Sequence, residues 1–261
     1  MYTALYTNRS TMAAQQKKLD IISNNIGNVN TTGYKRLNVQ FEDLYQDSLN
    51  RKGYPITEGG NNLTYGTGVK AGKVIRQVNQ GSLRETGKSS NLAIDGEGFF
   101  KVYMADGKEA YTRAGSFNVD ASGNLVDANG NRISIINAAG QEINKPGGPI
   151  NLKNGEFTIN KDGSITQKIN GDIVELGSIK TYKAVGDSSF MSVGESLFVP
   201  LEGITIYETT DRNILQGYLE NSNVDMAEEM SEMILTQRAF QLGSTGMKTA
   251  DEMWGMINNI R

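Results

Sequence analysis

No cysteine and no histidine occur in the 261 residues. Without cysteine no disulfide forms, and thiolate and imidazole metal sites are excluded. Without an imidazole to act as base, Ser-His-Asp and Cys-His nucleophile systems are excluded too. Charge of neither sign dominates, the formal net charge being −3. A dedicated nucleic-acid binder would present a strongly basic face, so none is expected here. The chain also lacks any run of about 18 apolar residues, which removes the expectation of a transmembrane helix. Its start, MYTALYTNRSTMAAQQKKLD, has no basic segment leading into an apolar one and does not read as a secretory signal peptide. The chain is expected to stay in the cytoplasm or to leave by a route that needs no cleaved signal.

Proline is scarce at 4 residues, whereas glycine is abundant at 30. Many glycines with few prolines point to numerous tight turns between short strands. The length suffices for one large domain or two ordinary ones.

Three kinds of text follow one another. Residues 1–44 are helix-like and then polar, 45–216 are rich in Gly, Asn and Asp, and 217–261 are helix-like again. In the first, Leu5, Met12, Leu19 and Ile26 stand seven apart, with Ile22 and Val29 between them as the second line of a seam. Asn8 and Gln15 weaken its early turns. A helix to Val29 would be roughly 40 Å long. In the last, Met226, Met233, Phe240, Met247 and Trp254 are again seven apart, and Met230, Ile234, Ala250 and Ile257 widen the stripe. Asn223 or Ser222 is the expected cap, with Glu228 and Glu229 in the first turns. Gly243 and Gly246 each cost up to about 1 kcal/mol in a helix, so a bend or close packing is expected there.

The two ends carry opposite charge. Arg9, Lys17, Lys18, Lys35 and Arg36 face Asp20 alone in residues 1–37. In 217–261, Glu220, Asp225, Glu228, Glu229, Glu232, Asp251 and Glu252 outweigh Arg238, Lys248 and Arg261. Amphipathic helices so charged attract each other, within a chain or between chains.

The middle contains a short repeat, FNVDASGNL (117–125) and FTINKDGSI (157–165), each an alternating run, a Gly turn and an apolar return. That is a hairpin signature. Gly98–Tyr103, Ile173–Tyr182, Ser196–Pro200 and Ile204–Tyr207 are further strand candidates, so the middle reads as mainly antiparallel β.

The loops that imitate ligand motifs fail on spacing. Gly87-Lys88-Ser89 lacks the glycine that a phosphate loop needs at 82, where Ser82 stands. GTGVKAG and DGEGFF lack both the dinucleotide spacing and a βαβ unit. DASGN and DANGN lack the calcium-loop glycine and its distal carboxylate, and read as Asx turns. No cofactor, metal, nucleic acid or small-molecule substrate is expected. Paired carboxylates can hydrolyse glycosides, but none stand out here. A carbohydrate- or peptidoglycan-acting enzyme remains the alternative from another class.

Three long stretches carry a resemblance. SNNIGNVNTTGYKR resembles the N-terminal signature of the bacterial flagellar rod and hook proteins, and NSNVDMAEEMSEMILTQRAF (221–240) their C-terminal one. QGSLRETGKSSNLAIDGEGFFKV and AYTRAGSFNVDASGNLV are similar to their central β domain. The length, and GTGV (66–69) after a long linker, are most like the distal rod, with proximal rod and hook subunits as alternatives.

The resemblance implies an α+β structural protein that is not an enzyme. Helices in 1–44 and 217–261 would form a coiled-coil layer, 45–72 a linker and 73–216 the β domain. The subunit would polymerise helically, outside the cytoplasmic membrane in the basal body. Its neighbours would be proximal rod and hook proteins and an outer ring bushing, and the flagellar export apparatus would deliver it. The assembly residues implied are Leu5, Met12, Leu19, Ile22, Asn24, Asn25, Ile26, Asn28 and Val29. At the other end they are Met226, Met230, Met233, Phe240, Met247, Trp254 and Ile257.

Overall fold

The computed structural model describes residues 2–44, 46–48, 64–137, 139–144, 152, 157–169, 172–184, 190–194, 196–209 and 213–259. The centre of the expected linker, 49–63, lies outside the described residues. The fold is α+β and divides into two units. One comprises Met1–Gly27, Leu37–Ile75 and Asp225–Arg261, and the other Asn28–Arg36 and Arg76–Val224.

The first unit is built on two helices, α1 (Tyr2–Gly27) and α2 (Met226–Asn259). They run antiparallel: a Cβ on Gly246 would lie 3.2 Å from Asn8 and one on Gly243 3.0 Å from Met12, while Glu232 meets Lys18 and Glu229 meets Asn25. The two glycines therefore let the helices approach closely. α1 stops two residues short of the expected Val29, because Asn28 and Thr31 close a turn by backbone and side-chain bonds of 3.1 Å each. The cap of α2 also differs from expectation. Asp225 Oδ1 accepts the amides of Ala227 (2.8 Å) and Glu228 (3.2 Å), and its carbonyl accepts the Glu229 amide. Asn223 is engaged elsewhere. Beside the helices, Leu37–Asp43 pairs with Val69–Arg76, and Gln46–Ser48 with Thr64–Gly66.

The second unit is antiparallel β. Among the described residues its largest sheet has nine strands, with Phe99–Tyr103 near the middle and Phe190–Gly194 at one edge. A four-stranded sheet joins Ile135–Ile136, Asp172–Ile179, Ser164–Ile169 and Phe157–Ile159. Both expected hairpins form: Asn118–Val119 pairs with Leu125–Val126, and Phe157–Ile159 with Ser164–Ile169. The expected strand Ile173–Tyr182 is two strands, Asp172–Ile179 and Thr181–Ala184, which pair into different sheets. Between the sheets Phe100, Val102, Phe117, Leu125, Ile133, Ile135 and Ile179 are fully excluded from solvent.

Candidate assembly interface

The seven-residue spacing places one apolar line of α1 against one of α2. Ala14, Ile21 and Ile22 are buried, and Leu5, Met12, Leu19 and Ile26 are half-buried. On α2, Met226, Met233, Phe240, Met247 and Trp254 are half-buried at the same spacing. Between them on the inner face come Glu229, Thr236, Gly243 and Ala250, the first two buried. Met230 (52% exposed), Ile234 and Ile257 stand outside this intrachain seam. The exposed or part-exposed bridge from Lys18 to Glu232 (2.5 Å) realises the charge complementarity within one chain, and is worth at most about 1 kcal/mol.

The asparagines of the N-terminal signature have separate surroundings. Asn24 is exposed on α1, and Asn28 opens the turn in the second unit. Val29 is half-buried there. Asn25 is buried and serves as a surrogate strand. Its amide donates to the Leu37 carbonyl and accepts from the Leu37 N–H, both at 2.9 Å, and it donates to Glu229 Oε2 at 3.2 Å. One polar side chain thus ties α1, the first strand and α2, and a single buried polar group in a helical seam fixes register.

α2 carries a second seam that the sequence reading missed. Leu235, Leu242, Thr249 and Met256 are seven apart, and Met253 falls four residues after Thr249. Apart from Thr249 this is an apolar heptad line over three repeats, offset by two residues from the inner one. Leu235, Leu242, Met253 and Met256 are 65%, 72%, 47% and 60% exposed. The spacing alone could have revealed it, had the apolar stripe been read as two lines. The outer face of α1 is more polar: Arg9, Gln16, Lys17, Asp20, Ser23 and Asn24 are exposed there, with Tyr6 the large apolar exception at 65%.

In the second unit, three charged side chains meet in the interior. Glu220, Lys35 and Arg113 have side chains 1%, 1% and 3% exposed. Glu220 Oε1 accepts from Lys35 Nζ (2.6 Å) and from the Gly81 N–H (2.9 Å), and Oε2 accepts from Arg113 Nε. Arg113 also donates to the carbonyls of Ile94, Gly96 and Gly98, and Lys35 to that of Asn79 (2.7 Å). Burial holds the Lys35 ammonium below its ordinary range, and the Glu220 carboxylate opposes that shift. Gly33 allows the segment to lie this close: its φ is +68°, and a Cβ there would fall 2.5 Å from the Ala114 nitrogen. Asn223 completes the junction, accepting from the Arg36 N–H and donating to the carbonyls of Gln77 and Asn79.

The ligand-like loops are turns. Asp120 and Asp127 each accept two backbone amides within their own loop. Among the described residues no group of acidic side chains is arranged to hold a metal ion, and no helix is long and apolar enough to cross a membrane.

The order of these parts has a counterpart among protein families. Residues 5–35 match the flagella basal body rod protein family, 93–167 the flagellar hook protein FlgE/F/G D1 domain, and 215–260 the flagellar basal body rod FlgEFG protein C-terminal family. The class is thus that of flagellar rod and hook proteins. Full-length relatives narrow it. The chain is 36% identical to the flagellar basal-body rod protein FlgG of Borreliella burgdorferi, over all of this chain and 99% of the relative. It is 32% identical to that of Bacillus subtilis, over all of both chains. It is also 32% identical to the flagellar basal-body rod protein FlgF of Caulobacter vibrioides, over 97% of this chain and 95% of the relative. The chain belongs to the flagellar basal-body rod protein family.

Proposed function

We propose that this chain is the structural subunit of the distal rod, polymerising helically into a stiff hollow shaft that carries motor torque to the hook. The observation that carries the reading is the exposed second seam of α2. A heptad-spaced apolar line fits a helix in coiled-coil geometry, and from Leu235 to Met256 it runs roughly 30 Å at 1.5 Å per residue. Covering each large side chain stabilises by about 1.5–3 kcal/mol. The exposed Arg9 and Lys17 of α1 and the exposed Glu228, Asp251 and Glu252 of α2 give neighbouring copies complementary charge. A seam on one face of the helix pair, met by a different face of the next copy, is a heterologous contact, and such contacts grow into filaments when they do not close. The inner seam of Leu5 to Ile26 and Met226 to Trp254 then sets the shape of the helix pair, and Asn24, exposed on α1, is a polar contact beside it.

The proposed place is the basal body outside the cytoplasmic membrane, reached through the flagellar export apparatus without a cleaved signal. Proximal rod and hook proteins would be its neighbours, and an outer ring its bushing. Family membership supports this reading, and a structural protein has no catalytic site to fill.

The test is electron microscopy of basal bodies from cells lacking the chain. A truncated rod without a hook is expected. A finished rod without a hook would assign the chain to the hook, and intact flagella would overturn the reading. Leu242→Asp, returned to such cells, should leave the purified monomer within about 0.5 kcal/mol of its stability and still fail to restore the rod.

A further inference from the structure

The buried Lys35–Glu220–Arg113 cluster draws one residue from each of the three family-matched segments. Its place in the chain explains what it can do. The chain passes between its two units four times, after Gly27, Arg36, Ile75 and Val224. Within the second unit, the segments at these passages are bonded side by side. The Gln77 N–H donates to the Arg36 carbonyl (2.9 Å), the Gly33 N–H to the Glu220 carbonyl (2.9 Å), and Asn223 joins Arg36 to Gln77 and Asn79. The segment arriving from α1, the one returning from the small sheet and the one leaving for α2 therefore meet at one joint.

We infer that Lys35, Glu220 and Arg113 form a clamp within the second unit that holds these three segments side by side, so that load arriving along any one of them is shared by the others. The chemistry favours stiffness over mere adhesion. Each charge is directional and buried, and moving any one strands the others in a low-dielectric interior. Glu220 is the keystone, since both cations and the Gly81 amide converge on its carboxylate.

Hydrogen exchange on the full-length purified chain tests the clamp. The reporters are the amides of Gly33, Arg36, Gln77 and Gly81; Val102 and Ile165, in the core strands, are the controls. Glu220→Gln should speed exchange at the reporters about 100-fold and leave the controls unchanged. Equal acceleration everywhere, or none at the reporters, would overturn the proposal. Arg113→Met/Glu220→Met keeps the test decisive if the single variant fails to fold. It removes a matched pair and leaves Lys35, which can shed its proton when buried, on the Asn79 carbonyl, so the melting temperature should recover while the reporters still exchange fast. Recovery of reporter protection would mean that packing alone holds the joint, and the clamp would be wrong. A second readout rests on the rod assignment: cells with the double variant should build flagella and swim in dilute medium but stall as viscosity rises. Equal tolerance of viscosity to the parent, with reporter exchange fast, would keep the clamp and remove its mechanical role.

Discussion

The β unit and the helical unit solve the same problem differently. In the β unit Phe100, Phe117, Leu125, Ile133, Ile135 and Ile179 are fully enclosed by their own chain. In the helical unit few apolar side chains are buried, and Leu235, Leu242, Met253, Met256 and Ile257 of α2 face solvent. The β unit is complete as one copy. The helical unit has one finished seam and one open one, the design expected of an element that is stable enough to be positioned and incomplete enough to bind. The two helices differ in the same sense, since the outward residues of α1 are mainly polar, Tyr6 apart, where those of α2 include a line of large apolar side chains.

The largest expected effect breaks the comparison at its strong side. Phe117 packs edge-on against Phe100, with ring centroids 5.8 Å apart. Phe117→Ala should destabilise the β unit by about 3–5 kcal/mol, read from chemical denaturation followed by circular dichroism. Phe240→Ala, in the half-buried helical seam, should cost about half as much by the same mechanism. Similar losses at both sites would mean that the helical pair is as tightly packed as the β core, and the contrast would fail.

A smaller effect tests how the helical unit holds its shape with so little core. Asn25→Ala leaves the Leu37 N–H and carbonyl short of their side-chain partner and takes one donor from the buried Glu229. An unsatisfied buried group costs about 1–3 kcal/mol, so a loss near 2 kcal/mol is expected. The Leu37 amide should exchange faster than its neighbours. Unchanged exchange there would mean that the strand is held by its ladder and that Asn25 is incidental.

The features visible in the sequence were those with short-range spacing. Leu5, Met12 and Leu19, or Met233, Phe240 and Met247, repeat at seven because one face of a helix repeats at seven, and the two hairpins showed in their Gly turns. What stayed hidden depends on distant partners. Asn223 and Asp225 are both good caps by composition, and the choice fell to Asp225 because Asn223 is held by Arg36, Gln77 and Asn79. Lys35 and Glu220 are 185 positions apart, and Arg113 and Glu220 107, so no local pattern joins them. The second seam was readable at its own period. Offset by only two residues from the first, it merged with it into one broad apolar stripe, and only tertiary packing separates the line facing α1 from the line facing outward.

That separation of faces gives the smallest and sharpest test. Three glycines of α2 lie at different depths in it. A Cβ on Gly255 would meet nothing within 4 Å, one on Gly246 would approach Asn8 Nδ2 to 3.2 Å, and one on Gly243 would approach Met12 Cγ to 3.0 Å. Glycine to alanine inside a helix stabilises by up to about 1 kcal/mol through backbone entropy. Gly255→Ala should realise about half of that or more, reduced by fraying near the helix end. Gly243→Ala gains the same entropy but pushes the Met12 side chain, which is flexible and can yield at a small cost, so its net effect should lie near zero. The difference, read as a shift in denaturation midpoint, measures how tightly α1 closes on α2. If Gly243→Ala stabilises as much as Gly255→Ala, the inner seam is as loose as the outer one. The open face of α2 would then differ from the closed face in composition alone.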